Sequence, residues 1–300
     1  MNIEGRRDEV SQLLHGVVDT HVHSGPSRVP RALDHIEMIA AASAAGYRAI
    51  VTKDHYYDGA PIAALVNAHY GDRGTRMYSG VVLNAAVGGL NAAAVEASAA
   101  IGGRAVWLPT YSARNHIRWQ QNEAGYAHPG VAAGIAGGAV DVLTDGGAVV
   151  DDLKRVIDVV AEHDQVLISG HLHISEVVRV FDEARSRGVT RLLLLHPPEI
   201  VGASTSDVAQ LARDGVFTEH SMNLFLEGSP FRRFEPELLR EYVRAANVNR
   251  TVLASDLGQP NSIHPVDGMR ATIVMCLDLG FSHDEVRQLT GQNASELFGI

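Results

Sequence analysis

The chain alternates between two textures. Short runs of leucine and β-branched residues end in polar residues, and longer runs place their apolar residues at helical spacing. Strand-like runs are predicted over 17–23, 48–55, 76–84, 104–110, 165–171, 190–196, 216–220 and 250–256. Helical runs are predicted over 31–45, 61–70, 90–101, 151–163, 175–187, 205–213, 236–246 and 266–279. Two short helices over 282–289 and 293–298 close the pattern, and Gly46, Gly102, Gly188, Gly215 and Gly280 mark helix ends.

Eight strand–helix units imply a parallel sheet, since each helix returns the chain to start the next strand in the same direction. At this length they fit an α/β (β/α)8 TIM barrel, typically ~250 residues plus insertions. An open doubly wound sheet would bring a glycine-rich nucleotide loop after the first strand, and none is present. No Pro/Ser-rich linker divides the chain, so a single domain over 1–300 is expected. The fourth strand and its helix are separated by residues 111–150, which include a Gly/Ala-rich stretch over 130–139. A hairpin-like stretch over 140–150 follows, with Asp145-Gly146 as a two-residue turn. A loop of this length at a strand's C-terminal side reads as an inserted lid or binding loop. A surface insertion without a role is the alternative.

Charge narrows the partners. The formal charge is −10, with 35 acids against 25 bases. That balance argues against a nucleic-acid surface, which needs a basic face, and against adsorption to anionic lipid. Cys276 is the sole cysteine, which excludes an intramolecular disulfide and a multi-cysteine zinc site. The first residues carry Arg6, Arg7, Asp8 and Glu9 and lack the apolar core of a secretory signal. No apolar run approaches the ~18 residues of a membrane span. A soluble, cytoplasmic protein is expected.

The histidines change the picture. There are 15, and His21, His23, His55, His116, His171, His173, His196 and His220 fall at or just past strand ends. The C-terminal strand ends are where such barrels gather their chemistry. Asp256 ends the eighth strand, and Lys53 stands two residues before His55 on the second. His21 and His23 are spaced i, i+2, so on a strand both imidazoles leave the same face. That arrangement suits two ligands on one metal, because zinc and its neighbours take imidazole and carboxylate. Histidines hydrogen-bonded in a polar mouth are the alternative for the pair alone. Arg28 follows the first strand, and Arg114 enters the fourth loop with His116. Cations there suit a substrate carboxylate or phosphate, whereas solvated loop arginines are the bland reading.

On these residues the chain resembles the amidohydrolase superfamily of metal-dependent barrel hydrolases, in an uncharacterised branch. The matching pieces are Val18-Asp19-Thr20-His21-Val22-His23, Ile168-Ser169-Gly170-His171, Leu193-Leu194-Leu195-His196-Pro197 and Leu253-Ala254-Ser255-Asp256. The tail Asn293-Ala294-Ser295-Glu296-Leu297-Phe298-Gly299 is similar to that superfamily's closing motif. The resemblance implies that His21, His23 and His171 bind metal, and that His196 binds a second metal or the substrate. It makes Asp256 a metal ligand and the general base. His220 becomes an electrophile or proton donor, with Glu219 pointing the opposite way. Many binuclear members end the fourth strand on a carboxylated lysine or a glutamate, which Ala105–Thr110 lacks. Lys53 is a substitute bridge or ligand, or else a cation that binds substrate or pairs with Asp19 or Asp256. His55 and His173 read as substrate-binding residues.

The expected cofactor is a divalent metal, zinc first and manganese or iron(II) as alternatives, in one or two ions. A bound ion lowers the pKa of water toward ~7 and polarises a substrate oxygen. The expected activity is hydrolysis of a C–N or C–O bond in a small cyclic amide, lactone or ester. The alternatives are a metal-dependent decarboxylase or hydratase/lyase on a small carboxylic acid, a phosphoesterase, and a non-catalytic binding barrel. The partners expected are a small, anionic substrate and further copies of the chain, as a homo-oligomer.

Overall fold

The structure, a computed structural model, describes residues 4–122 and 138–300. Its strands are β1 (Val18–Val22), β2 (Ala49–Thr52), β3 (Arg76–Tyr78), β4 (Gly80–Val82), β5 (Ala105–Trp107), β6 (Val166–Ile168), β7 (Leu192–Leu195), β8 (Phe217–Ser221) and β9 (Thr251–Ala254). The first six helices are α1 (Arg7–Leu14), α2 (His35–Ala44), α3 (Ala60–Tyr70), α4 (Ala92–Ala100), α5 (Arg114–Asn122) and α6 (Asp151–Glu162). The rest are α7 (Ile174–Ser186), α8 (Thr205–Arg213), α9 (Pro236–Ala246), α10 (Pro265–Asp278), α11 (His283–Arg287) and α12 (Asn293–Phe298). No helix among the described residues is long and apolar enough to cross a membrane.

Each predicted strand is found, most of them shortened and the seventh shifted by one residue to Phe217–Ser221. The third is the exception, because it breaks at Ser79 into β3, which pairs with β2, and β4, which pairs with β5. The chain divides into two compact units, one of residues 1–53, 62–78 and 218–300, the other of 54–61 and 79–217.

In the first unit β1 pairs parallel with β2, β2 with β3, and β8 with β9. The end of β1 is tied to the segment after β9, with the Asp256 N–H donating to His21 O at 2.8 Å and His23 N–H to Leu257 O at 2.8 Å. This unit's core gathers Leu13, Leu14, Val22, Met38, Ile50, Met77, Leu253, Leu257 and Met269. Helix α2 begins at His35, four residues later than the periodicity predicts. The Asp34 carboxylate accepts from Glu37 N–H at 2.7 Å, and the Glu37 carboxylate accepts from Asp34 N–H at 2.9 Å. This reciprocal cap fixes the helix start and leaves 25–34 as a loop. Helix α1 was not predicted; its three buried apolar residues, Val10, Leu13 and Leu14, form one short stripe.

In the second unit β4, β5, β6 and β7 pair parallel in chain order. Helix α6 buries Leu153, Val156, Ile157 and Val160, and α7 buries Val177, Val180, Phe181 and Ala184. Both stripes follow the i, i+3, i+4, i+7 rule that made these helices legible. Within the predicted 111–150 loop the structure forms α5, which periodicity missed. Its sequence Arg-Asn-His-Ile-Arg-Trp-Gln-Gln-Asn has no apolar stripe. The hairpin over 140–150 is present, with Leu143 bridged antiparallel to Val149. Its turn is longer than the two residues predicted: Thr144 N–H donates to Ala148 O at 2.8 Å, and Gly147 sits at φ +80. Residues 123–137 of the expected lid, with most of its Gly/Ala-rich stretch, lie outside the described residues.

Gly80 is set by a close approach. A Cβ there would fall 1.8 Å from Ala105 O, which is backbone and cannot yield without moving β5. Gly80→Ala is therefore expected to lower unfolding free energy by at least about 2 kcal/mol, as overpacking does. Leu65→Ala, at an exposed side chain, should stay within about 0.5 kcal/mol of wild type. Urea denaturation followed by circular dichroism measures both.

Candidate metal centre

Strand β1 delivers two imidazoles side by side. The His21 and His23 rings lie 5.2 Å apart, both buried, as the period-2 geometry of a strand requires. Asp256 meets them two residues past β9. Its Oδ1 is 3.0 Å from His23 Nε2 and 3.3 Å from His21 Nε2.

The other ring nitrogens fix the tautomers. His23 Nδ1 lies 2.8 Å from Lys53 O, and a carbonyl only accepts, so Nδ1 carries the proton. His21 Nδ1 lies 2.9 Å from Glu219 Oε1 and donates to that carboxylate. The second Glu219 oxygen, Oε2, accepts from the Thr20 hydroxyl. Burial pushes both imidazoles down to about 3, so they are neutral at physiological pH. Nearby Asp256 opposes the shift, while the Arg31 charge assists it. Each Nε2 is thus a lone pair directed at Asp256 Oδ1.

His21 Nε2 and His23 Nε2 thus lie 3.3 and 3.0 Å from Asp256 Oδ1. Lone pairs at that separation call for a cation beside them, such as the nearby Lys53 ammonium or a metal ion. A tetrahedral ion with arms of about 2.0 Å has edges of about 3.3 Å, close to both distances. Two neutral imidazoles and one carboxylate are also the ligand chemistry such ions take.

Lys53 belongs to the same group. Its Nζ is 3.3 Å from His21 Nε2, and burial brings its ammonium down to about 8, against the pull of Asp256 and Glu219. Asp19 supports the backbone from below, its Oδ1 accepting from Ser255 N–H at 2.9 Å and His21 N–H at 3.3 Å. Burial raises the Asp19 carboxyl to about 7. The Asp256 carbonyl accepts from Asn223 Nδ2 at 3.0 Å and Gln259 Nε2 at 2.9 Å. These contacts hold Asp256 at φ +50, a left-handed conformation that costs a non-glycine residue about 1 kcal/mol or more.

Glu219 is the residue that sequence reading placed on the wrong side. On β8 it faces His21 and Thr20, while the His220 ring lies against Tyr242 at 5.6 Å and Phe225 at 6.4 Å. Alternation along the strand separates the two, but the sequence does not say which one faces β1. Arg28 stands exposed in the loop after β1.

In the second unit His55, His116, His171 and His196 lie near one another. His171 Nδ1 is 2.9 Å from His116 Nδ1, and the His171 and His196 rings are 5.3 Å apart. His55 stacks on Tyr111 at 4.0 Å and hydrogen-bonds Thr110 Oγ1 at 2.9 Å. Asn84 Nδ2 donates to the same Oγ1 at 2.8 Å. His196 sits at φ +45, a second left-handed non-glycine residue at a strand end. His173 and Arg114 are not part of this cluster. His173 caps α7 at the surface, with Nδ1 at 2.8 Å from Ser175 Oγ, and Arg114 forms a two-point ion pair with Asp141 at 2.7 and 2.6 Å.

Residues 16–219 match a family described as one of unknown function, DUF6282. The chain belongs to that family. No curated protein matches it. Among solved structures, an amidohydrolase from Pseudomonas aeruginosa superposes with a TM-score of 0.63 at 10% identity, covering 97% of each chain. An amidohydrolase from Burkholderia multivorans with bound zinc gives 0.59 at 13% identity, over 95% of this chain and 99% of that one. L-hydantoinase from Arthrobacter aurescens gives 0.53 at 13% identity, over 95% and 71%. At such identities the likeness establishes the fold. This DUF6282 chain has the α/β (β/α)8 fold that its strand–helix alternation predicts, the fold these amidohydrolase structures share.

Glu219 fixes the direction of His21 Nε2, so a metal held by that nitrogen should bind more weakly when Glu219 is lost. Glu219→Gln keeps the shape and removes the charged acceptor. Zinc affinity, measured by competition with a chromogenic chelator, is expected to fall about 10- to 100-fold with the fold intact. An unchanged zinc affinity would show that the Glu219 contact does not tune the site.

Proposed function

We propose that this DUF6282 chain is a metal-dependent hydrolase of the amidohydrolase type, acting on a C–N or C–O bond of a small cyclic amide, lactone or ester. The observation that supports it most is the meeting of His21 Nε2 and His23 Nε2 with Asp256 Oδ1, at 3.3 and 3.0 Å, a set of acceptors that a divalent ion satisfies. The family resemblance implies that His171 joins the same metal and that His196 holds a second metal or the substrate, and the zinc bound in the Burkholderia multivorans amidohydrolase favours zinc here.

The ion, when bound, supplies Lewis acidity and lowers the pKa of water. The protein's own groups do the rest. His21 and His23 stay neutral because burial opposes their protonation, so their lone pairs remain available near pH 7. Glu219 and the Lys53 carbonyl hold the two rings in the ligating tautomer. The Asp256 carboxylate takes a proton from the attacking water and returns it to the departing nitrogen or oxygen. Burial around this group excludes bulk water and strengthens each of these interactions.

His21→Ala combined with His23→Ala is expected to remove bound zinc and hydrolytic activity together. Metal content by plasma mass spectrometry and turnover across a panel of lactones, cyclic amides and esters provide the readout. Retention of full zinc by the double variant would refute the ligand assignment. Release of carbon dioxide, or a product with a new double bond, would refute hydrolysis.

A further inference from the structure

We propose that Arg31 is the oxyanion-binding residue of this centre, so that the substrate carries a carboxylate or phosphate group beside the bond that reacts. This rests on the metal-centre reading above and goes further, to the class of substrate.

Arg31 lies in the loop between β1 and α2, and that loop is pinned to the ligand-bearing segments. Gly25 N–H donates to Leu33 O at 2.8 Å, and His35 N–H to Gly25 O at 2.9 Å, which close the loop on itself. Ala32 N–H donates to Gly258 O at 2.9 Å. Gly258 follows Asp256 by two residues and presses on β1's end: a Cβ there would fall 1.7 Å from His23 O. The neighbour of Arg31 in the chain is thereby fixed to a point packed against His23 and next to Asp256.

The Arg31 side chain is half-buried, yet its Nε and Nη2 are shut off from solvent and have no hydrogen-bond partner among the described residues. Buried guanidinium N–H groups are costly when unmet, so they mark a place for an acceptor. The nearest carboxylates of the same loop and helix, Asp34 and Glu37, are engaged in capping α2. The Arg31 charge is felt at the site, where it lowers the proton affinity of His21, His23 and Lys53.

The planar guanidinium fork matches a carboxylate or phosphate in two-point geometry, which a lysine does not.

Calorimetric titration of protein incubated with zinc tests this, using succinate and methyl phosphate as probes and succinamide as the uncharged control. Wild type is expected to bind at least one of the two anions and not succinamide, and the tighter of the two identifies the oxyanion. Arg31→Gln should weaken that binding by about tenfold or more while zinc content stays unchanged. Arg31→Lys, which keeps the charge and loses the fork, should fall between the two and serves if Arg31→Gln does not fold. Arg155→Gln, at an exposed pair with Asp152, should match wild type. Equal anion affinity in Arg31→Gln and wild type, or no anion binding by wild type, overturns the proposal. Arg31-dependent anion binding in a protein that takes up no zinc would instead refute the metal reading and leave the oxyanion site standing.

Discussion

Two neutral imidazole lone pairs and one carboxylate oxygen are held at contact distance where β1 and the segment after β9 come together. Left to themselves these three acceptors repel, and the surrounding fold is built to keep them there. The Asp256 N–H is bonded to His21 O, and the His23 N–H to Leu257 O, so the two strand ends cannot part without breaking both. Asn223 and Gln259 hold the Asp256 carbonyl in the left-handed backbone conformation that aims the carboxylate at the histidines. Stored strain of this kind is kept where it aligns a reacting group.

Around the trio, protonation is controlled by burial more than by charge. Loss of water is the leading cause of the low proton affinity of His21 and His23, of the lowered ammonium of Lys53 and of the raised carboxyl of Asp19. The same burial makes Glu219 effective, since its hydrogen bond to His21 is not in competition with solvent. Both imidazoles are thereby left neutral, with Nε2 turned toward Asp256 Oδ1.

Much of this was legible in the sequence, for identifiable reasons. Helices such as α6, α8 and α9 show an apolar stripe of period 3.6, and both α8 and α9 match their predicted limits. The His21–His23 pair declared itself because strand alternation sends i and i+2 to one face. Helix α5 stayed hidden because a histidine, His116 against His171, rather than a stripe of aliphatic residues, makes its contact with the neighbouring segment. Glu219 was out of reach because two adjacent polar residues on β8 give no sign of which one turns toward β1. Arg31 was read as the first residue of a helix until the Asp34–Glu37 cap showed that the helix starts beyond it. Caps and facing are three-dimensional facts that composition and period do not encode.

X-ray absorption at the zinc edge, on protein reconstituted with zinc, tests the central claim most directly. A first shell containing two or more imidazole nitrogens and a carboxylate oxygen at about 2.0–2.2 Å is the expected result. A shell of oxygen ligands alone, or no ordered ion, would contradict it.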